Sequence, residues 1–529
     1  MPCCTTRSSA ATLSLIAGLT ASLLTVFSAA SEDAGEKGLG AKVPAPGGAG
    51  GGTGRGAAQP AERVPALGQP TFFSGAIEGP GGELAFHLRL TRGIDGAPSG
   101  TIDIPAQNFL GGELRDLVWT GDTLSFIVAV PNAGESVWPH FEFDLSSGDA
   151  ADEAEGASGP APFSGTLKQA GFELPARLVR AEGPPTPPRR PQHPEAPFPY
   201  EAREVAFENE AGGVVIAGTL TLPEGEGPFP CAVMITGSGQ QDRDETLLGH
   251  KPFLVIADHL TRHGIAVLRC DDRGVGGTTA GDQEDPDSFD FASDIDAALA
   301  FLAEQDEIDA DRVGLIGHSE GGLIGSIVAA DEPRVAFFVI LAGPGVPGDE
   351  ILVRQGEAIS LAEGADPEDV AAQTPMREAL FAALLAGDDE AARGHLEELL
   401  TDAMPAETEA AAIDEMVDAQ MRMLGSRWMR TFMAFDPRDH LRRITCPVLV
   451  LNGALDTQVL PDQNVPEIAA ALREGGNEDV TVEVLPGLNH LFQPATTGGM
   501  SEYASIETTF DPGTLEIMAA WIGERMGVE

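Results

Sequence analysis

One serine of this chain lies in a local pattern that could make it a nucleophile. Ser319 is the centre of the pentapeptide Gly317–Gly321, which reads Gly-His-Ser-Glu-Gly. The apolar run Val313–Ile316 precedes it, and the helix-like residues 322–330 follow it. This order predicts a strand, a sharp turn and a helix with the serine at the apex, where flanking glycines avoid steric clashes. The pattern indicates nucleophilic catalysis by Ser319, and the alternative is an ordinary Gly-Ser turn.

A serine hydroxyl needs a histidine base, and that base needs a carboxylate to orient it. Asp456 follows the apolar run Val448–Leu451 on a glycine-bearing loop, and His490 follows the run that ends at Leu485. No other histidine lies beyond Asp456 in the sequence, so the order serine, acid, histidine leaves His490 without a competitor. We therefore predict a catalytic triad of Ser319, Asp456 and His490. The alternatives are a turn-forming aspartate and a structural histidine.

Acyl transfer by a serine also needs N–H groups that stabilise the developing oxyanion. One expected donor is the backbone N–H of Glu320, directly after the serine. The second donor is expected from the glycine-bearing loop 236–244, which follows the third strand of the predicted sheet. The candidates in this loop are Ser238 and Gly239, and the sequence does not choose between them.

The elements that must position these residues begin at about residue 201. From there, short apolar runs rich in β-branched residues alternate with amphipathic stretches. This alternation predicts a doubly wound, mostly parallel sheet with helices on both faces. A catalytic domain is therefore expected at residues 201–529. Residues of about 349–436 show only helical patterning, and we expect this insertion to form a cap over the site.

A different pattern occupies residues 70–181, where about eight short runs alternate polar and apolar residues between turn signals. It predicts a small antiparallel β domain, either a barrel or a sandwich. No constellation of catalytic residue types stands out in this part of the sequence. Prolines are dense in residues 182–200, which we expect to be a semi-rigid linker between the two domains.

The first residues of the chain have a targeting pattern. Residues 1–30 are typical of a signal peptide, with Arg7 before the apolar stretch Ala11–Phe27 and small residues at the cleavage positions. We therefore expect export to the periplasm, the cell surface or the medium. An uncleaved membrane anchor is the alternative, because the apolar stretch approaches the span of a bilayer. Residues 31–69 are rich in glycine, alanine and proline and should form a flexible tether.

The charge of the chain excludes two classes of partner. The chain has 529 residues, too many for one ordinary domain, and a formal net charge of −50 from 82 acidic residues against 32 lysines and arginines. Nucleic acid and anionic membranes attract basic surfaces, so neither is expected as a partner. No cofactor and no metal are implied by the sequence, which also leaves the oligomeric state open.

Three other histidines could bear on the chemistry. His259 and His263 have the i, i+4 spacing of a helix face, but they lack the glutamate of a zinc-protease motif. We expect them to be surface or helix-packing histidines. His318 neighbours the predicted nucleophile, and its side chain is expected to point away from the site.

Together these motifs resemble the EstD-type carboxylesterases, a branch of the bacterial α/β-hydrolases. The resemblance covers about residues 200–528. Its most specific segments are Ile235–Glu245, Asp272–Gly276, Gly317–Gly322 and Leu485–Ala495. The resemblance implies an α/β-hydrolase fold with a helical cap, a triad of Ser319, Asp456 and His490, and esterase activity on acyl chains of modest size. The preceding β-rich region is similar to the extra domain of many exported members.

The residues and the resemblance lead to one predicted function. They predict a secreted serine carboxylesterase that hydrolyses short- to medium-chain acyl esters of small molecules through an acyl-enzyme. An exported serine peptidase or a thioesterase with the same triad is the alternative. A cell-surface binding protein that uses the domain as a scaffold is a third hypothesis, which an intact triad disfavours.

Overall fold

The computed structural model describes residues 69–79, 82–93, 96–105, 109–129, 138–146, 162–169, 172–185, 189–404 and 408–528. The predicted signal peptide (1–30), nearly all of the predicted tether (31–69) and part of the predicted linker (182–200) lie outside the described residues. Within the part of the chain that the structure describes, every helix is too short or too polar to traverse a bilayer.

The first domain is an antiparallel barrel. Its strands are β1 (Thr71–Gly79), β2 (Gly82–Arg92), β3 (Pro98–Ile104), β4 (Phe109–Trp119), β5 (Thr123–Val128), β6 (His140–Asp144), β7 (Phe163–Gln169) and β8 (Phe172–Ala181). Each strand pairs with its neighbours in sequence, and β8 pairs with β1 to close the barrel. Alternate residues face inward, and Phe126 stacks there on Phe141 with ring centroids 4.9 Å apart. The predicted small β domain is confirmed, and the barrel is the correct alternative.

The second domain is built on an eight-stranded sheet. Its strands are β9 (Glu201–Asn209), β10 (Val214–Leu222), β11 (Phe229–Ile235), β12 (Ala266–Cys270), β13 (Ile308–His318), β14 (Phe338–Leu341), β15 (Val448–Gly453) and β16 (Val480–Leu485). Their order across the sheet is β16–β15–β14–β13–β11–β12–β10–β9. The pairs that involve β10 are antiparallel, and the remaining pairs are parallel. The predicted doubly wound, mostly parallel sheet is therefore confirmed.

Helices cover both faces of this sheet. They are α1 (Pro252–Arg262), α2 (Ser288–Leu302), α3 (Glu320–Asp331), α4 (Gly348–Ala362), α5 (Pro367–Ala386), α6 (Asp389–Ala403), α7 (Ala410–Leu424), α8 (Arg427–Ala434), α9 (Arg438–Leu441), α10 (Pro461–Glu474) and α11 (Pro512–Met526), with a 3-10 helix at Met500–Ser505. Successive residues of β11 face opposite cores: Val233 packs in the core with α2, α3 and α10, and Met234 in the core with α1 and α11. The continuous apolar character of the central strands follows from this double coverage.

The predicted cap is also present. Helices α4 to α8 leave the sheet after β14, the sixth strand of this domain, and the chain returns to the seventh strand, β15. The cap helices pack their apolar faces together, and Leu380, Leu396 and Leu400 are fully buried among them. The insertion is thus a packed group of helices that lies in the chain between β14 and β15.

Candidate active site

Ser319 lies at the sharp turn between β13 and α3, where the sequence predicts it. Its φ of 55° and ψ of −122° are rare for a residue with a side chain, and such a conformation costs about 1–3 kcal/mol. The turn is held by two backbone bonds of 2.9 Å: Ser319 donates to the carbonyl of Leu341, and Gly322 donates to the carbonyl of Ser319. Because Ser319 is only half-buried, its side chain is within reach of a bound molecule.

The two glycines of the pentapeptide are required because backbone segments approach each other closely. A Cβ atom on Gly317 would overlap the carbonyl oxygen of Gly321, and one on Gly321 would overlap the carbonyl oxygen of Ile235. In both cases the obstacle is backbone, which cannot rotate aside like a side chain. The turn that presents Ser319 therefore depends on residues without a Cβ at these two positions.

We expect Gly321→Ala to lower hydrolytic activity about 100-fold. The turn between β13 and α3 must shift to admit the methyl group, and this shift displaces Ser319. Overpacking should also lower the free energy of unfolding by about 1–3 kcal/mol. The measurements are kcat/KM and thermal melting. Gly394→Ala in α6 is the matched control, since a Cβ there meets no atom within 4 Å and should leave activity unchanged. Equal activity of the two variants would contradict the prediction.

The predicted acid and base are in direct contact. His490 Nδ1 lies 2.9 Å from Asp456 Oδ2, and both residues are 4 % exposed. Oδ1 of Asp456 accepts the N–H groups of Gln458 at 2.8 Å and Val459 at 2.9 Å, and Oδ2 also accepts Asn452 Nδ2 at 3.0 Å. Three donors besides His490 hold this carboxylate as an acceptor. It can therefore keep the proton of a neutral His490 on Nδ1 and leave the lone pair on Nε2.

The nucleophile candidate lies beside this pair. The ring of His318, the residue before Ser319, has its centroid 4.8 Å from that of His490. Among the described residues, no hydrogen bond joins the Ser319 hydroxyl to His490. Bonds of this kind are often long in free enzymes and shorten when a substrate binds. The structure thus joins Asp456 to His490 directly and brings Ser319 into their neighbourhood.

The prediction that the His318 side chain points away from the site is wrong. The ring is buried, and its Nε2 donates to the carbonyl oxygen of His490 at 3.0 Å. Its Nδ1 lies 2.9 Å from Oε1 of Glu245. The loop that carries His490 closes over the ring of His318, which the local pattern around the serine does not reveal. His318 therefore supports the backbone of the predicted base.

Glu245 is a positioning residue that the sequence reasoning missed, although it ends the segment Ile235–Glu245. Burial lowers the pKa of His318, but the charge of Glu245 and its hydrogen bond raise that pKa above the ordinary histidine value. Oε1 of Glu245 also accepts the N–H of Gly237 at 2.8 Å. One carboxylate oxygen thus links the loop 236–244 to His318 and, through it, to His490.

We expect Glu245→Gln to lower kcat about tenfold or more with little change in KM, because a neutral amide oxygen holds Gly237 and His318 more weakly than the carboxylate does and so weakens the support of His490. The raised pKa of His318 contributes stability that is fully present below about pH 6.5 and is lost as pH rises through the folded-state pKa. The melting temperatures of native and variant protein should therefore differ more at pH 6 than at pH 9. Glu226→Gln, at an exposed position, is the control. A pH-independent difference would contradict this account.

The loop 236–244 offers a restricted choice of oxyanion donors. The N–H of Gly237 is bound by Glu245, and the N–H of Gln241 is bound by Asp272 Oδ2 at 2.8 Å. By contrast, the backbone N–H groups of three predicted donors have no hydrogen-bond partner among the described residues. They are those of Ser238, Gly239 and Glu320. These three groups remain available to a bound oxyanion.

The Glu320 side chain ties the cap to the site. Its Oε1 accepts hydrogen bonds from Ser288 Oγ at 2.6 Å and from Trp428 Nε1 at 2.9 Å. Burial raises the pKa of this carboxyl group. Trp428 belongs to α8, the last cap helix, so the residue that follows Ser319 is also an anchor of the cap. Arg427, on the same helix, pairs with Asp287 at 2.9 Å.

Among the described residues, none of these site residues belongs to a cluster of potential metal ligands. Within the described residues, the one group of side chains whose ligand atoms lie close enough to share a metal ion is elsewhere, at His259, His263 and Glu516.

Comparisons with known proteins agree with the fold and with the region of the site. The family model described as serine aminopeptidase, S33, matches residues 252–493, which include the serine, the acid and the histidine. Esterase EstD of Thermotoga maritima is 30 % identical over 282 residues, which are 52 % of this chain and 58 % of that protein. The chain thus spans a little over half the length of this relative.

Two solved structures are among those similar to this chain. The α/β hydrolase GrgF from Penicillium sp. sh18 is 18 % identical, with a TM-score of 0.40 over 62 % of this chain and 99 % of that chain. An esterase of Pyrococcus furiosus is 15 % identical, with a TM-score of 0.39 over 65 % of this chain and 97 % of that chain.

Proposed function

We propose that the second domain of this chain, which has the α/β-hydrolase fold, is a serine carboxylesterase that acts on small acyl esters. The observation that carries the proposal is the buried contact of 2.9 Å between His490 and Asp456, beside a serine held at a strained turn. All three residues lie on turns or loops that follow strands, namely β13, β15 and β16. A structural role alone would not require this combination.

The proposed reaction proceeds through an acyl-enzyme. The Ser319 oxygen attacks the ester carbonyl carbon while its proton passes to His490 Nε2. The carbonyl oxygen becomes an oxyanion that accepts the N–H of Glu320 and that of Ser238 or Gly239. His490 then gives its proton to the leaving alcohol oxygen as the ester bond breaks. Water repeats these steps on the acyl-enzyme and releases the acid.

The test is a series of p-nitrophenyl esters from acetate to palmitate, measured on the full chain. We expect the highest kcat/KM at short to medium acyl chains, because the hydrogen bond from Trp428 to Glu320 holds the cap against the residue that follows Ser319. Release of p-nitrophenol must depend on Ser319. Absence of activity on every ester, with folded protein verified by circular dichroism, would refute the proposal.

A second candidate is an aminopeptidase, which the description of the matching family model favours. The same triad can cleave an amide if the leaving amine is protonated by the histidine. Side-by-side rates on an ester and on an aminoacyl p-nitroanilide separate the two candidates. A higher kcat/KM for the anilide would assign the peptidase function.

We also propose that the protein is exported. The support is the sequence of residues 1–30, with one arginine before an apolar stretch and small residues after it. Expression of the full chain in a bacterial host, followed by N-terminal sequencing of the fraction outside the cytoplasm, tests this. A chain that stays in the cytoplasm with residues 1–30 intact would refute it.

A further inference from the structure

Three potential metal ligands meet on the face of the sheet that α1 and α11 cover. His259 lies in the last turn of α1, His263 directly follows that helix, and Glu516 lies near the start of α11. One ligand atom from each side chain lies within 4.8 Å of the other two. The two helices share a hydrophobic core with the sheet, so packing fixes the relative positions of the backbone segments that carry the three side chains. None of them takes part in the proposed triad.

The hydrogen bonding of His263 sets its tautomer. Its Nδ1 lies 2.7 Å from the carbonyl oxygen of His259. A carbonyl oxygen can only accept, so Nδ1 carries the proton, and in the neutral ring Nε2 carries the lone pair. Metal-binding histidines commonly donate one ring N–H to a backbone carbonyl in this way and coordinate through the other nitrogen. His263 is thus prepared to act as a ligand.

A second observation that points to a ligand is the unpaired ring nitrogen of His259. Its Nε2 is buried and has no hydrogen-bond partner among the described residues. The carboxylate oxygen Oε1 of Glu516 lies 3.8 Å away, which is too far for a hydrogen bond. Two ligand atoms bound at about 2.0–2.1 Å to one tetrahedral zinc ion stand about 3.3 Å apart. Small side-chain rotations would therefore let both atoms bind the same ion.

We propose that His259, His263 and Glu516 form a zinc(II) site that joins α1 to α11, with water as the fourth ligand. Two imidazole nitrogens and one carboxylate oxygen are donors that zinc accepts, whereas calcium and magnesium prefer oxygen ligands. His263 and Glu516 are exposed, so an ion can reach the site from solvent. The ion stabilises the folded state by binding ligands that come together only after α11 has packed against α1.

Zinc binding is measured on the full chain, freed of metal with a chelator, by competition with a chromogenic zinc indicator. We expect one tight equivalent per chain whose affinity falls at least tenfold in His263→Gln and in Glu516→Gln. Both residues are exposed, so both variants should fold. His140→Gln, at an exposed barrel position, is the matched control and should bind zinc like the native chain.

Cobalt(II) provides a second measurement. A tetrahedral site of this kind should give visible absorption bands in the native chain and in His140→Gln, and the bands should be lost in His263→Gln and Glu516→Gln. Added zinc should also raise the melting temperature of the native chain and not that of these two variants. Zinc affinity in the two site variants equal to that of the control would overturn the proposal.

Discussion

Ser319→Ala is expected to lower kcat for ester hydrolysis by about 10⁴–10⁶-fold, because the acyl-enzyme can no longer form. The variant should lose turnover and keep the native fold. Alanine has a Cβ like serine, so the strained backbone at φ 55° bears the same steric load in both proteins. The Ser319 hydroxyl makes no hydrogen bond among the described residues, so its removal leaves no buried partner unsatisfied. The measurement is the turnover of a short-chain p-nitrophenyl ester.

The matched control is Ser326→Ala. It removes a hydroxyl from α3, the helix that follows Ser319, where the side chain donates to the carbonyl of Leu323 at 2.7 Å. This variant should lose a little stability and keep its turnover. A fluorophosphonate probe should label the native chain and the control, and it should leave Ser319→Ala unlabelled. Undiminished turnover in Ser319→Ala would rule out the serine mechanism.

The residues of the proposed triad could be selected from the sequence because each follows a strand that is recognisable on its own. Val313–Ile316 and Val448–Leu451 are short apolar runs, and the residues after them lie where parallel strands end. The order serine, acid, histidine then constrains the choice. In this fold, the local sequence and the order along the chain are enough to propose a nucleophile, an acid and a base.

The supports of these residues could not be predicted in the same way. Glu245 and His318 are 73 positions apart, and Ser288 and Glu320 are 32 apart, so only the tertiary fold brings each pair together. Glu516 meets His259 and His263 across an even longer separation, and no local motif relates Glu516 to the two histidines. Barrel and sandwich were equally compatible with the alternation in residues 70–181, because closure depends on pairing between the first and last strands. Long-range contacts thus determine the supporting residues and the closure of the barrel, which local periodicity does not specify.

Asp456→Asn is expected to lower kcat about 10⁴-fold through the tautomer of His490. Oδ1 of Asp456 accepts the backbone N–H groups of Gln458 and Val459, so the amide oxygen of an asparagine must occupy that position. Its NH₂ group then replaces Oδ2 and faces His490 Nδ1. A donor there forces Nδ1 to accept and moves the ring proton to Nε2, which can no longer take the proton of Ser319.

Stability should change much less than activity in this variant. The new NH₂ group faces Asn452 Nδ2, so one N–H of Asn452 loses its acceptor at a cost of about 1–3 kcal/mol, while the other still donates to the carbonyl of Val459 at 3.2 Å. Steady-state kinetics and thermal melting measure the two effects separately. Asp462→Asn, an exposed substitution on α10, should change neither. Because the substitution keeps the shape of the side chain and reverses the hydrogen bond to His490, a kcat within tenfold of the native value would show that Asp456 does not set the tautomer of the base.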